Sequence, residues 1–403
     1  MKNKAFISDV KKVYFKAFDN EISISEFAGA HYGKSEEHFW IPNNAVVNKK
    51  YCFVIFCLSK LYYFIVLLWL FAMPVIFIIE YIKWGKNVAK KHNPKFKDVF
   101  LYSSIGSNFN YIKRETEDYP TSGIILPWVR VGNIPSDISL IDICDISSPK
   151  IFFKSCTLAY LVTLQAMSDP KRIKRTLYTY TALRWFFVRL TLESYAFNSI
   201  WLTNHYDRWV VLLDSIAVEK RVMVQHGSLI DFSQPVPVTY TMQNKLRASW
   251  VLHLYNEDEY PVFCKCIFIS PPEVKAFEVE ISIDRSLCRG LKSILVLGNP
   301  RLQDKLMTAV KLLKKIHGQD LMVAYRPHPR ESISALIKQS KKLDFIINAD
   351  QKRIPETSIV LSYGSSLDEL LLNYYPAKII NFDVSKKFDE NHFVTLINQK
   401  LVE

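Results

Sequence analysis

The chain has no Cys-x-x-Cys pair anywhere. Its seven cysteines are scattered through 403 residues, and Cys264 and Cys266 stand only in a CxC spacing. Neither a zinc site nor a disulfide framework is implied, and a reducing cytosol fits best. Internal repeats and low-complexity tracts are also missing, which excludes solenoid architectures and compositional disorder. No RNA- or DNA-binding motif occurs and the basic residues are dispersed, so nucleic acid is not an expected partner.

What is present suits a globular protein. With 49% hydrophobic residues, the chain is long enough for two domains, each with a substantial core. The net charge of +13 calls for an acidic partner, a condition that nucleic acid, anionic lipid and phosphorylated substrates all meet.

One segment narrows this choice. Leu61 to Ile79, LYYFIVLLWLFAMPVIFII, carries no charge between Lys60 and Glu80, about the length needed to cross the hydrocarbon layer as a helix. It begins too far into the chain, and lacks the small-residue cleavage site, for a signal peptide. Pro74 is expected to kink it. Lys49, Lys50 and Lys60 precede it, and Lys83, Lys86, Lys90, Lys91, Lys95 and Lys97 follow. Both flanks suit an anionic cytoplasmic surface, so the positive-inside rule cannot orient a single span, and a shallow or re-entrant helix would keep both flanks on one side. The alternative is a buried core helix of a large domain.

Beyond Phe96 strands and helices alternate, as in α/β proteins. VFLYSS from Val99, SIWLTN from Ser199 and Arg221 to Val224 read as strands; GIILPWVRV from Gly123 and SLIDICDI from Ser139 read as strand or loop. Long apolar helices are expected from Ile151 to Met167 and from Lys171 to Phe197. In the carboxyl-terminal part SILVLG, Leu321–Tyr325, Phe345–Asn348, Thr357–Leu361 and KIINFD give five strands. Leu302, Leu306, Ala309, Val310, Leu313 and Ile316 recur at helical spacing, and Gly318 closes that helix. A further helix is expected near Ile333–Gln339. Ser366 and Glu369 have capping-box spacing, which predicts a helix starting there. The domain boundary is expected in the polar stretch from Glu280 to Lys292.

Strand ends in such proteins line ligand crevices. VMVQHGSLID ends its apolar run in Gln225, His226, Gly227 and Ser228, and MVAYRPHPRE ends in Arg326, Pro327, His328, Pro329 and Arg330. His328, held between prolines and flanked by two arginines, has the chemistry to give a hydrogen bond or proton to a departing phosphate while the arginines counter its charge. Gly364, Ser365 and Ser366 at a helix start offer free backbone N–H groups to a phosphate. Gly298 and Asn299 follow the first strand of the same half. Each residue also has an ordinary structural reading. His226 can be a packed strand end, the prolines can simply shape a loop, and the serines can be helix caps. Asn204, His205 and Asp207 also follow a strand, with Asn204 and Asp207 spaced as an N-cap and its N3 partner.

VQHGS, YRPHPRE and SYGSSLDELLL, in this order, resemble motifs of the GT-B fold glycosyltransferases of bacterial surface polysaccharide synthesis. The similarity is to the group holding polysialyltransferase-like and Kdo-transferring capsule enzymes and the CDP-glycerol glycerophosphotransferases. It covers about Ser199 to Asp383. The resemblance implies phosphate contacts for His328, Ser365 and Ser366, and a place at the catalytic centre for His226. In the polyol-phosphate enzymes a Trp usually precedes that histidine; Gln225 stands there in this chain, which favours a sugar donor. No acidic general base is matched.

The expected architecture is therefore α/β and GT-B-like, with two Rossmann-like domains facing a cleft. Residues 1–97 form an amino-terminal region with a membrane-associated segment at 61–79, residues 98–285 an acceptor-side domain, and residues 286–403 a nucleotide-sugar-binding domain. His226 and His328 are the candidate catalytic residues. Arg326, Arg330, Gly298, Asn299, Gly364, Ser365 and Ser366 are donor-binding, and Gln225, Gly227 and Ser228 acceptor-side. The expected activity is sugar transfer from a nucleotide donor, a CMP-linked sugar among them, to a lipid-linked or polysaccharide acceptor at the cytoplasmic face of the inner membrane. No metal and no cofactor are expected. The alternatives are a CDP-polyol phosphotransferase, a GT-B fold UDP-sugar epimerase, which the apolar segment argues against, and a non-catalytic membrane-bound scaffold.

Overall fold

The computed structural model describes residues 2–31, 61–85, 98–102, 111–112, 115, 122–126, 139–203, 205–225, 229–231, 238–278, 282–284, 292–298, 303–327, 343, 345–346, 353–362, 378–381 and 390–402. In chain order the elements begin with α1 (Lys2–His31), α2 (Tyr62–Gly85), β1 (Asp98–Tyr102), β2 (Ser122–Ile125), β3 (Ser139–Asp142) and α3 (Pro149–Ser168). Next come α4 (Ala182–Leu192), β4 (Ser199–Leu202), α5 (Arg208–Asp214), β5 (Lys220–Val224), β6 (Ile230–Asp231), β7 (Val238–Thr239), β8 (Val251–Leu254), α6 (Tyr260–Cys266) and β9 (Glu273–Ala276). The rest are β10 (Ser282–Asp284), β11 (Lys292–Leu297), α7 (Gln303–His317), β12 (Leu321–Arg326), β13 (Phe345–Ile346), β14 (Arg353–Pro355), β15 (Ile359–Ser362), β16 (Lys378–Asn381) and α8 (Glu390–Val402).

Two compact units result, one of Met1–His226 with Tyr240–Ala276 and one of Gly227–Thr239 with Phe277–Glu403. The first is built on a seven-stranded sheet of order β3-β2-β1-β4-β5-β8-β9, parallel throughout. The order runs outward from β1 in one direction and restarts at β4 in the other, which makes β1/β4 a topological switch point. Its central strands are continuous apolar runs because helices cover both faces of a parallel sheet. Ile200, Leu202, Val222, Met223 and Leu252 are fully buried.

The apolar stretch expected to be one helix from Lys171 to Phe197 is instead a 3-10 segment, Ile173–Thr181, followed by α4. The cause is local. Thr176 and Thr179 turn their hydroxyls onto the carbonyls of Ile173 and Thr176 at 2.9 and 2.7 Å, a side-chain competition that favours tight turns over regular helix. By contrast α3 starts as its sequence dictates: Ser148 is the N-cap, accepting from Ile151 N at 3.3 Å, with Pro149 next. Asp207 is itself the N-cap of α5, accepting from Trp209 N and Val210 N at 2.8 and 3.3 Å, and not an N3 partner.

Helix α1 was not expected. Val10, Val13, Tyr14, Ala17 and Phe18 are buried on one face, with Tyr14 against Trp185 and Phe186 at ring distances of 5.4 and 5.0 Å. Asn20 fixes its register: its Nδ2 donates to Asn244 O at 3.0 Å while its Oδ1 accepts from Asn244 N at 2.7 Å. Arg208 pairs with Glu21, and Arg172 with Asp19 at 2.9 Å. Burial pushes the Glu21 carboxyl up and Arg208 pulls it back.

In the second unit the five-stranded sheet has the order β13-β12-β11-β15-β16, again all parallel. Counted within this sheet the order is 3-2-1-4-5, with the switch point between β11 and β15. Successive residues of β11 serve opposite faces. Ile294 and Val296 pack with Leu306, Val310 and Leu313 of α7, and Leu295 and Leu297 with Ala324, Ile354 and Val360. Helix α7 ends at Gly318, whose φ of +60° suits the left-handed closing position. Ile316, expected on the inward face, is 54% exposed; Leu302 and the helices expected at Ile333–Gln339 and from Ser366 lie outside the described residues.

Candidate functional site

The second unit brings three motif-bearing strand ends to one edge. Leu297 is in register with Arg326, and Gly298 N donates to Arg326 O at 2.8 Å. On the other side of β11, Val296 is in register with Leu361, so β15 ends one residue later at Ser362. Leu297, Arg326 and Ser362 thus stand level on three adjacent strands, with Gly298 one residue beyond, at the carboxyl edge beside the β11/β15 switch point. Arg326 is half-buried and Pro327 buried. Ser362 is fully buried. Asn299, His328, Arg330, Gly364, Ser365 and Ser366 follow these ends in sequence and lie outside the described residues.

In the first unit β5 stops at Val224, opposite His253 of β8. Gln225 continues the pairing, its N–H donating to His253 O at 2.9 Å. Its side chain is fully buried, and Oε1 accepts from Tyr255 N at 3.1 Å and Asn256 N at 3.3 Å. Gln225 is therefore a clamp that ties the end of β5 to the turn after β8. A Trp has no acceptor for this purpose. His226, Gly227 and Ser228 lie outside the described residues. Asn204 does too, whereas His205 is buried with its ring 5.1 Å from that of Phe263, a packing position.

Near the same edge stands a residue that sequence reasoning missed. His253 is 2% exposed, its ring 5.1 Å from Trp201 and 5.7 Å from Tyr111. Tyr111 Oη and His253 Nδ1 are hydrogen-bonded at 2.7 Å, and Nε2 has no hydrogen-bond partner among the described residues. Burial, reinforced by the positive charge of Lys275, holds its pKa down to about 4, so the imidazole is neutral near pH 7. Lys275 itself pairs with Glu115. The available signal was one polar residue inside the apolar run Val251–Leu254.

No protein-family model matches the sequence, and no curated protein does. Among solved structures the chain is similar to the pneumococcal O-GlcNAc transferase GtfA in complex with UDP and GlcNAc, at 12% identity and a TM-score of 0.33 over 54% of this chain and 52% of that one. It is also similar to TarM, at 9% identity and a TM-score of 0.40 over 76% and 92%. A third similarity is to the lipopolysaccharide outer core galactosyltransferase WaaB, at 10% identity and a TM-score of 0.35 over 76% and 90%. The chain thus spans about half the length of the O-GlcNAc transferase. Scores of this size assign no role to any residue of this chain.

Proposed function

We propose that the chain is a metal-independent glycosyltransferase of GT-B type, taking a sugar from a nucleotide donor to a lipid-linked or polysaccharide acceptor at the cytoplasmic face of the inner membrane. The observation that carries the reading is the level ending of β11, β12 and β15. The segments LGNP, YRPHPRE and SYGSS leave the sheet from one edge, at the switch point where open α/β sheets bind phosphate-bearing ligands. In this reading an acceptor hydroxyl attacks the anomeric carbon while its proton passes to a general base or to water, and the bond from that carbon to the nucleotide's phosphate oxygen breaks. The departing phosphate gains charge. Arg326 and Arg330 counter it, His328 supplies a proton or hydrogen bond, and backbone N–H groups at Gly364 to Ser366 take the oxygens.

In this reading the acceptor side begins at the end of β5. Gln225 positions the chain that runs from His226, the last residue of that part of the first unit, into Gly227 and Ser228 of the second, and the Gln in place of Trp weighs against a CDP-polyol donor. The test is a screen of CMP-, CDP-, UDP- and GDP-linked sugars with and without a lipid-linked acceptor, read by mass spectrometry. Sugar mass added to the acceptor with release of nucleotide is expected. Interconversion of the donor sugar without an acceptor would indicate an epimerase, and inertness toward every donor a scaffold.

A further inference from the structure

Helix α2 meets two different environments. Its inward face holds Tyr62, Val66, Met73 and Trp84, each at most 6% exposed. Tyr62 Oη donates to Ile173 O at 3.0 Å, and the Trp84 ring stacks on Phe152 at 5.0 Å. Its outward face carries Phe64, Leu68, Phe71, Val75, Ile78 and Ile82, exposed by 50–71%. Their spacing of four, three, four, three and four residues lays them in one stripe along the helix. Most of the exposed large hydrophobic side chains among the described residues lie between Leu61 and Ile82. Phe153 of α3, 56% exposed, adjoins the stripe through Tyr81, 5.3 Å away.

This geometry decides between crossing a bilayer and lying on it. A spanning helix must be surrounded at every depth by lipid or apolar protein. The inward face of α2 instead packs on the 3-10 segment that holds Lys174 and Arg175, and Glu80 reaches Arg184 at 3.5 Å. Crossing would draw those charges into hydrocarbon. Tyr62 and Trp84, aromatic residues near the two ends that in a spanning helix would sit at two water interfaces, are here turned inward onto Ile173 and Phe152, while Tyr63 and Phe64 stay on the exposed side.

The partner's chemistry follows from charge. The outward stripe is uncharged, Lys83 beside it is 68% exposed, and the sequence on both flanks is rich in lysine. Pairing with a second copy, parallel or antiparallel, would set basic flank against basic flank. An anionic lipid surface neutralises both. We infer that α2 lies in the plane of an anionic leaflet, its outward face in the acyl boundary and its inward face carrying the protein, so that the chain is anchored on one side without crossing.

The inference is independent of the transfer reading and is tested by vesicle flotation of the full-length chain. Vesicles containing phosphatidylglycerol should carry the protein, and neutral phosphatidylcholine vesicles much less. The double substitution Phe71→Asp with Ile78→Asp should weaken binding by at least about tenfold, since it withdraws two large apolar side chains. Phe71→Leu should bind as the parent does, and an unchanged circular dichroism spectrum shows that both variants fold. Trypsin added outside the vesicles should cut in both lysine-rich flanks. A protected fragment cut on one flank only would overturn the inference in favour of a span. Undiminished binding by the double variant, or a stable dimer in solution that ignores vesicles, would overturn it as well.

Discussion

Replacing Gln225 by Met tests how the first unit holds its candidate site. Met has nearly the same length and apolar volume but no oxygen to accept the Tyr255 and Asn256 N–H groups, which Gln225 now binds at 3.1 and 3.3 Å. Leaving one buried donor unsatisfied costs about 1–3 kcal/mol. Both residues are only half-buried, so water can replace part of the loss, and about 2–4 kcal/mol for the pair is expected. The loss is local to the turn after β8. Amide hydrogen exchange at Tyr255 and Asn256, followed by mass spectrometry or NMR, should therefore accelerate by about 30-fold or more, the factor equivalent to about 2 kcal/mol. Strand β11, in the other unit, should exchange as before. Transfer activity should fall with it, because the end of β5 that leads to His226 is no longer fixed, while nucleotide affinity stays constant. Unchanged exchange at both amides would refute the clamp.

Other outcomes follow from the same arrangement. His328→Ala should slow transfer on the order of a hundredfold or more in a folded protein, as for loss of a leaving-group donor; steady-state kinetics checks this, and normal turnover would remove the role. His226→Ala should abolish transfer while calorimetry finds nucleotide affinity within a few fold, because nucleotide binding is assigned to the other unit; an equal loss of affinity would move His226 to the donor. Stability should depend on His253 in the acid range. Its folded pKa of about 4 lies below the unfolded value of 6.5, so the unfolded chain takes up the proton first. The contribution is whole above pH 6.5 and is lost progressively as pH falls toward 4, by about 3 kcal/mol. Urea unfolding of the parent and of His253→Asn should show a shallower acid limb in the variant, and identical limbs would contradict the buried neutral state.

Much of the fold is legible because parallel strands covered on both faces must be apolar throughout. Ile200–Leu202, Val222–Val224 and Ile294–Leu297 announce themselves as short apolar runs. The same rule hides the sheet's edge. Every residue of β9, Glu273–Ala276, is exposed, so its sequence carries no burial signal, and His253 breaks the run of β8. Helix α1 was readable in the spacing of Val10, Val13, Tyr14, Ala17 and Phe18, but its lysines and acids blur the pattern. The break at Ile173–Thr181 depends on threonine hydroxyls finding local carbonyls, which periodicity does not register. For the site, the motifs identify the strand ends in sequence, whereas the pairing of β11 with both β12 and β15 emerges only from the topology. The clamp by Gln225 depends on a turn distant in sequence, and no local pattern contains it.

The most direct test is hydrogen exchange of the full-length chain with and without the nucleotide that its donor carries, resolved by peptide. If the donor's phosphates sit at the level ends of β11, β12 and β15, protection appears together in the peptides holding Gly298, Arg326 and Ser362, and extends to those holding His328 and Ser365. Protection confined to the first unit, or elsewhere in the chain with these three ends unchanged, would contradict the account.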